Sequence, residues 1–185
     1  MEQLRTLQPV LLTLEAAMKA DAHDGGCWAR ADDGNRFQAI LSPLSNLLHA
    51  HVPHNFPILS DGLEEVEAYD KIIRGVGTIE YGNVVACFTA MAAALGNEQL
   101  WKPLNHSLLA ACGDEERSEV RKVGVAALLS IIRTVGEDYM VLLPECLPVL
   151  SELIEHNDEE IASMAKECIR LGEELLGESL ESTLW

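Results

Sequence analysis

VLLPECLPVLSELIEHNDEE, Val141 to Glu160, spaces its leucines as an amphipathic helix does, yet it carries two prolines, Pro144 and Pro148. A proline inside a helix removes an i→i−4 hydrogen bond and clashes with the preceding turn, at a cost of about 3 kcal/mol. Pro144 avoids that cost if it opens the helix after a short 3-10 turn, where its missing N–H has no role. Pro148 is then the internal one, and the fold has to tolerate it.

Working outward, the same layout recurs upstream. WKPLNHSLLAACGDEERSEVRKVGVAALLSI (residues 101–131) aligns with CLPVLSELIEHNDEEIASMAKECIRLGEEL (residues 146–175). Each holds a proline early in a first helix, then leucines, an acidic turn, and a second helix with an aliphatic residue near its start. Pro103 and Pro148 are 45 residues apart, and Val120 and Ile161 are 41 apart. A helix-pair repeat of roughly 40–47 residues is the armadillo/HEAT period. First helices of such repeats bend where a proline interrupts the ladder, which accounts for Pro148. The expected fold is all-α, a HEAT/armadillo-like α-solenoid fragment.

The remaining segments agree with that class. Helices are predicted over about residues 3–20, with Leu4, Leu7, Val10, Leu11, Leu14 and Met18 on one face, and over about residues 37–51, with Phe37, Ile40, Leu41, Leu44, Leu47 and Leu48 as the stripe. DAHDGGCWARADDGNR between them reads as a loop. DGLEEVEAYDKIIRGVG forms a weaker helix. TIEYGNVVACFTAMAAALG is apolar nearly all round and so is expected to be buried on more than one side. The helix over DEERSEVRKVGVAALLSIIRTV is read as opening on its acids and stopping at Gly136. In NDEEIASMAKECIRLGEELLG, Asn157 is the expected N-cap and Gly177 the stop. The predicted organisation is an N-terminal helix and acidic, glycine-rich loop at 1–35, a HEAT-like domain at 36–180 and a tail at 181–185.

Composition bounds the function. Thirty acids against thirteen lysines and arginines give a net charge of −17, which opposes a general grip on phosphates and favours a basic partner. From Glu152 to Glu181 ten acids face only Lys166 and Arg170. Cys27, Cys87, Cys112, Cys146 and Cys168 are scattered without a CxxC pair and read as reduced thiols. With no signal-peptide pattern and no apolar run of about 18 residues, a soluble intracellular protein is expected, with no membrane partner.

Chemistry-bearing groups are few. His49, His51 and His54 in HAHVPH have a spacing that fits around zinc, but no acid or cysteine lies close by, so they read as a helix end and no metal site is assigned. Cys146 lacks a basic neighbour to stabilise a thiolate and reads as a core residue. The pairs Glu64–Glu65, Glu115–Glu116 and Glu159–Glu160 sit on solvated helix faces without pocket residues to split their pKa values. No phosphate loop or nucleophile motif is present, so no enzyme, cofactor or small-molecule substrate is expected. The one basic cluster is RSEVRK. Arg117, Arg121 and Lys122 read first as ion pairs with Glu115, Glu116 and Glu119, and second as a contact for an acidic or phosphate-bearing partner. Trp101 is the expected anchor between stacked helix pairs.

Three strings go beyond a generic repeat: LWKPLNHSLL (100–109), EDYMVLLPECLPVLSELIEHNDEE (137–160) and LGEELLGESLE (171–181). With FQAILSPLSNLL (37–48), they resemble the C-terminal domain of the large HEAT-repeat proteins of the small-subunit processome, the UtpA subunit family. Val149 departs from the aromatic usual after the second proline. The resemblance implies a non-catalytic nucleolar scaffold in early pre-ribosomal RNA processing, with processome proteins and pre-ribosomal ribonucleoprotein as partners. It assigns no catalytic or metal residue. The alternative is a HEAT adaptor that binds a basic protein segment outside ribosome assembly, and direct RNA contact by this acidic segment is disfavoured.

Overall fold

In the computed structural model, the residues described are 2–24, 34–48 and 79–180. They form seven α-helices and one 3-10 helix: α1 (Glu2–Asp24), α2 (Gly34–Leu48), α3 (Ile79–Leu95), α4 (Glu98–Cys112), α5 (Ser118–Val135), the 3-10 helix Gly136–Leu142, α6 (Leu143–Ile154) and α7 (Glu159–Leu176). They divide into two units, 1–95 and 96–185. The weak helix expected around residues 61–77 and the histidines 49, 51 and 54 lie outside the described residues.

In the first unit α1 packs along α3, and α2 touches α3. Leu11 and Met18 of α1, and Phe37, Leu41, Leu44 and Leu48 of α2, are buried as expected, whereas Val10, expected on the same face of α1, is 60% exposed and Leu14 is part-buried. Between Gly82 and Leu95 only Ala93 is exposed, as the all-round apolar character of α3 requires. Helix–helix contact here is close enough for the Cys87 thiol to donate to the Leu11 carbonyl at 3.2 Å. Two boundaries differ from expectation: α1 continues to Asp24, and α2 opens three residues ahead of Phe37.

The second unit stacks two helix pairs. α4 packs on α5, α6 on α7, and α5 on α7, while the 3-10 helix touches all four. Pro103 is the sixth residue of α4 and Pro148 the sixth of α6, so the two first helices share a register. Val120 and Ile161 are each the third residue of their second helix, and both are buried. Pro144 sits in the first turn of α6, directly after the 3-10 helix, so only Pro148 interrupts the ladder. The Ser107 hydroxyl donates to the Pro103 carbonyl at 3.1 Å and Ser151 to the Pro148 carbonyl at 2.8 Å. These are ordinary serine back-bonds along the helix and leave the carbonyls four residues before each proline without that proline's donor.

Close approach explains one glycine. A Cβ on Gly124 of α5 would lie 2.9 Å from the Cys112 amide nitrogen and 3.1 Å from Ala111. The two helices therefore meet backbone to backbone. Gly177 takes a left-handed conformation (φ 69°) and its N–H donates to the Glu173 carbonyl, ending α7 where expected.

Two expectations are corrected. The N-cap of α7 is Asp158, whose carboxylate accepts from the Glu160 N–H at 3.1 Å, rather than Asn157. α5 begins at Ser118, so Asp114, Glu115 and Glu116 belong to the turn before it, and Glu119 is the acid in its first turn. Residues 178–180 pack back onto α7. The Leu180 N–H donates to Glu173 at 2.8 Å, and its side chain is buried over Gly172.

Candidate functional site

Asp114, Glu115, Glu116 and Arg117 lie in the turn that joins α4 to α5, Glu155 and Asp158 in the turn that joins α6 to α7, and Arg121 and Lys122 follow in the first turns of α5. Arg117 forks onto the Asp114 carboxylate, with Nε at 3.1 Å and Nη2 at 2.6 Å. Asp114 also accepts from the Arg117 backbone N–H at 2.9 Å and the Glu116 N–H at 3.2 Å, which closes the turn. Arg121 donates to the Asp114 carbonyl at 2.7 Å and lies against Nε2 of His156, whose Nδ1 accepts from the Asp158 N–H at 3.0 Å. Lys122 bridges Asp158 at 2.9 Å and Glu160 at 2.8 Å.

The bases therefore tie one turn to the next. The expected pairing with Glu115, Glu116 and Glu119 gives way to Asp114, Asp158 and Glu160. A helix surface offers partners only at i±3 and i±4, whereas stacking brings α7 acids beside α5. Asp158 serves twice, capping α7 and holding Lys122. Burial opposes the charge on Asp158 and on Lys122, but hydrogen bonding outweighs it: Lys122 holds Asp158 below the usual carboxylate range, and Glu160 together with Asp158 raises Lys122 above the usual lysine value. On the outside of the trio, Arg117 keeps 40% of its side chain exposed and Lys122 25%. Those flanks are what a partner could reach.

A second charged strip crosses α5 and α7. Glu167 accepts from Arg170 at 2.7 Å and from Arg133 at 2.9 Å, and Arg170 also donates to Glu174 at 2.9 Å. The Arg170 hydrogen bond, helped by Arg133 against some burial, takes the Glu167 carboxyl down to about 2.

Inside, the polar content is small, and of its buried side-chain atoms Arg121 Nε and, in the first unit, Asn83 Nδ2 have no hydrogen-bond partner. Asn105 is fully buried; its Oδ1 accepts from the Tyr139 hydroxyl at 3.1 Å and the Cys146 thiol at 3.4 Å, and its Nδ2 donates to Glu145 at 3.4 Å. Trp101 is buried beside Tyr139 in an edge-to-face contact with ring centroids 5.6 Å apart. Trp101 is buried as expected, and its ring partner lies in the 3-10 helix rather than in the second helix pair. Cys146 is a core residue as expected: burial pushes its thiol up to about 12 and outweighs the Asn105 hydrogen bond. Burial raises Cys87 to about 12 as well, and raises the Cys112 and Cys168 thiols well above the usual thiol value.

The hub formed by Asn105 with Tyr139 and Cys146 was not foreseen from the sequence. Its signal was Asn105 itself, a polar residue on the apolar stripe of α4. Among the described residues no group of three or more His, Cys, Asp or Glu is placed to hold a metal ion, and no helix is long and apolar enough to cross a membrane.

Comparison with known proteins follows the helix-pair architecture. No family model and no solved structure matches the chain. An uncharacterized protein of Arabidopsis thaliana is 30% identical over 183 residues, covering 94% of this chain. Human HEAT repeat-containing protein 1 is 34% identical over 100 residues, 54% of the chain. U3 small nucleolar RNA-associated protein 10 of Pyricularia oryzae is 28% identical over 163 residues, 84% of the chain. The chain spans 7%, 5% and 9% of these relatives' own lengths. Its homologues, at modest identity, are thus HEAT repeat-containing protein 1 and U3 small nucleolar RNA-associated protein 10, and the chain is an all-α, HEAT-type solenoid fragment.

Proposed function

We propose that this chain is a non-catalytic scaffold of the small-subunit processome, acting in early pre-ribosomal RNA processing in the nucleolus, and that it corresponds to the C-terminal domain of the UtpA subunit family. The observation that carries this reading is the similarity to U3 small nucleolar RNA-associated protein 10 over 84% of the chain. The stacked helix pairs support it, because such pairs present side chains along adjoining helices for partners rather than around a reaction pocket. In this reading the HEAT-like domain spans 36–180, and its partners are processome proteins and pre-ribosomal ribonucleoprotein.

Arg117, Arg121 and Lys122 are the proposed partner contact. An acidic element of a partner would reach the exposed flanks of Arg117 and Lys122 while Asp114, Asp158 and Glu160 hold the far sides. Direct RNA binding is not part of the proposal, since the surrounding acids repel phosphates.

Affinity capture of the tagged chain from nuclear extract tests the reading, with sequencing of the associated RNA and identification of the proteins. Recovery of the pre-ribosomal RNA leader together with processome subunits is expected. Recovery of neither, while a full-length relative captured in parallel brings down both, overturns it.

A further inference from the structure

Most bases of the second unit hold a carboxylate. Lys102 holds Glu98, Arg117 holds Asp114, Lys122 holds Asp158 and Glu160, and Arg133 and Arg170 share Glu167. Lys166 has none among the described residues and stands in solvent on α7. Arg121 has none among them either, yet it is part-buried. Its Nη2 donates to a neutral group, the Asp114 carbonyl, at 2.7 Å, and its Nη1 lies against another, the His156 ring. Its Nε is buried without an acceptor. A part-buried guanidinium lacking a counter-ion, with one donor unmet, costs stability that the fold does not recover nearby.

The imidazole is a poor partner for it. His156 Nδ1 accepts from the Asp158 N–H at 3.0 Å, so a neutral ring carries its proton on Nε2, the atom that faces Arg121. Donor then meets donor. Moving the proton to Nδ1 would free Nε2 for Arg121 and spoil the bond from Asp158. The ring cannot serve both neighbours, which makes it the replaceable one.

We propose that Arg121 is the member of the trio that recognises the partner, and that it does so by exchanging the His156 ring for an aspartate or glutamate carboxylate on a partner protein segment. The incoming carboxylate becomes the counter-ion on Nη1 that the fold does not supply. Arg117 and Lys122 keep their own carboxylates and flank the exchange. The surroundings shape the rest of the segment. Glu115 and Glu116 precede Arg117, Glu155 and Glu159 bracket His156 and Asp158 along the chain, and all four are exposed. They favour lysines or arginines on either side of a single acid. A nucleic-acid strand or an acidic run brings further anions against them and is repelled. The proposal rests on the reading of the trio as a partner contact and assigns the selecting side chain; which assembly the chain joins does not enter.

The test uses the whole chain and a fluorescein-labelled synthetic peptide with one central glutamate among lysines and alanines, read by fluorescence anisotropy. A matching peptide carries glutamine in its place, and an oligouridine RNA runs beside both. At a net charge of −17 the chain favours the glutamine peptide on charge alone, so a preference for glutamate reads the Arg121 contact. That preference should be about tenfold. Arg121→Gln should abolish it. If circular dichroism finds that variant unfolded, Arg121→Lys replaces it and should also lose the preference, because one ammonium does not reproduce the planar fork of a guanidinium. His156→Ala removes the ring that the carboxylate displaces and should raise affinity for the glutamate peptide about threefold. A purely structural ring would lower it. Equal binding of the two peptides, no binding, a preference that survives substitution at position 121, weaker binding in His156→Ala, or preference for the RNA would each overturn the proposal. A preference that disappears in Arg117→Gln but survives in Arg121→Gln would do so while keeping the trio as the contact, and the nuclear capture is read independently of all these results.

Discussion

The two helix pairs of the second unit share a register and differ in surroundings. α4 enters through an Asn97 cap that accepts from the Gln99 N–H at 2.8 Å, whereas α6 enters from the 3-10 helix without a side-chain cap. Of the second helices, α5 is buried continuously from Val123 to Ile132, while α7 alternates buried and open positions as a one-sided helix does. The sequence repeat therefore prescribes where prolines and turns fall, but not how many neighbours each helix has. A helix with partners on two faces needs small residues and close backbones; one with a free face keeps charge on it.

The largest expected effect breaks the second pair. Leu143 is buried where α6 meets α7, 3.0 Å from the position of a Cβ on Gly172. Leu143→Asp should cost at least about 4 kcal/mol, because it leaves a cavity and an unpaired buried charge. Thermal unfolding followed by circular dichroism would read this as loss of the cooperative transition of the second unit. An unchanged melting temperature would contradict the packing of α6.

The next pair of variants sharpens the difference between α5 and α7. Gly124→Ala pushes a Cβ into the backbone of α4, which cannot give way, so overpacking of about 1–3 kcal/mol should exceed the gain in helix propensity. Gly172→Ala meets the end of the flexible Leu143 side chain instead. It should stay within about 1 kcal/mol of the parent in urea denaturation. Equal losses would mean that the two interfaces are equally close.

Asp158→Ala removes a helix cap and one partner of Lys122 together and should cost about 1–2 kcal/mol. Asn157→Ala, one residue away, should cost far less. This pair of substitutions also bears on how much of the fold could be read in advance. Both residues are good caps by type, and local sequence does not choose between them. The choice fits the ammonium of Lys122, which arrives from the other helix pair, so nothing within residues 155–161 announces it. The same is true of the basic trio: Asp114 lay within helical reach of Arg117, but Asp158 and Glu160 become neighbours of Lys122 only through stacking. By contrast, the register of Pro103 and Pro148, the 3-10 entry ahead of Pro144 and the stop at Gly177 are local matters of backbone geometry, and the sequence carries them openly. The Asn105 hub fell between these cases, visible as an anomaly on a stripe but without a named partner.

The smallest effect at neutral pH belongs to Glu167. Its carboxyl is depressed in the folded state, so its contribution is present above the ordinary carboxylate range and is lost as the pH falls through that range toward about 2. Glu167→Gln should therefore change stability by less than about 1 kcal/mol at pH 7, and its melting temperature should fall less than the parent's between pH 5 and pH 2. Asp114 and Asp158 are depressed by their own cations and act in the same direction, so the difference between the two proteins isolates Glu167. Parallel pH profiles would show that the α5–α7 strip contributes nothing to acid resistance.

The buried thiols have a practical corollary. A cysteine held as the neutral thiol in a closed core reacts with an alkylating reagent only when its surroundings open, so the labelling rate counts openings. Cys87 would time the opening of the first unit, and Cys112, Cys146 and Cys168 that of the second, on α4, α6 and α7 respectively. Mass spectrometry of a labelling time course would thus rank the helices by how often each lets go, with no probe added to the chain.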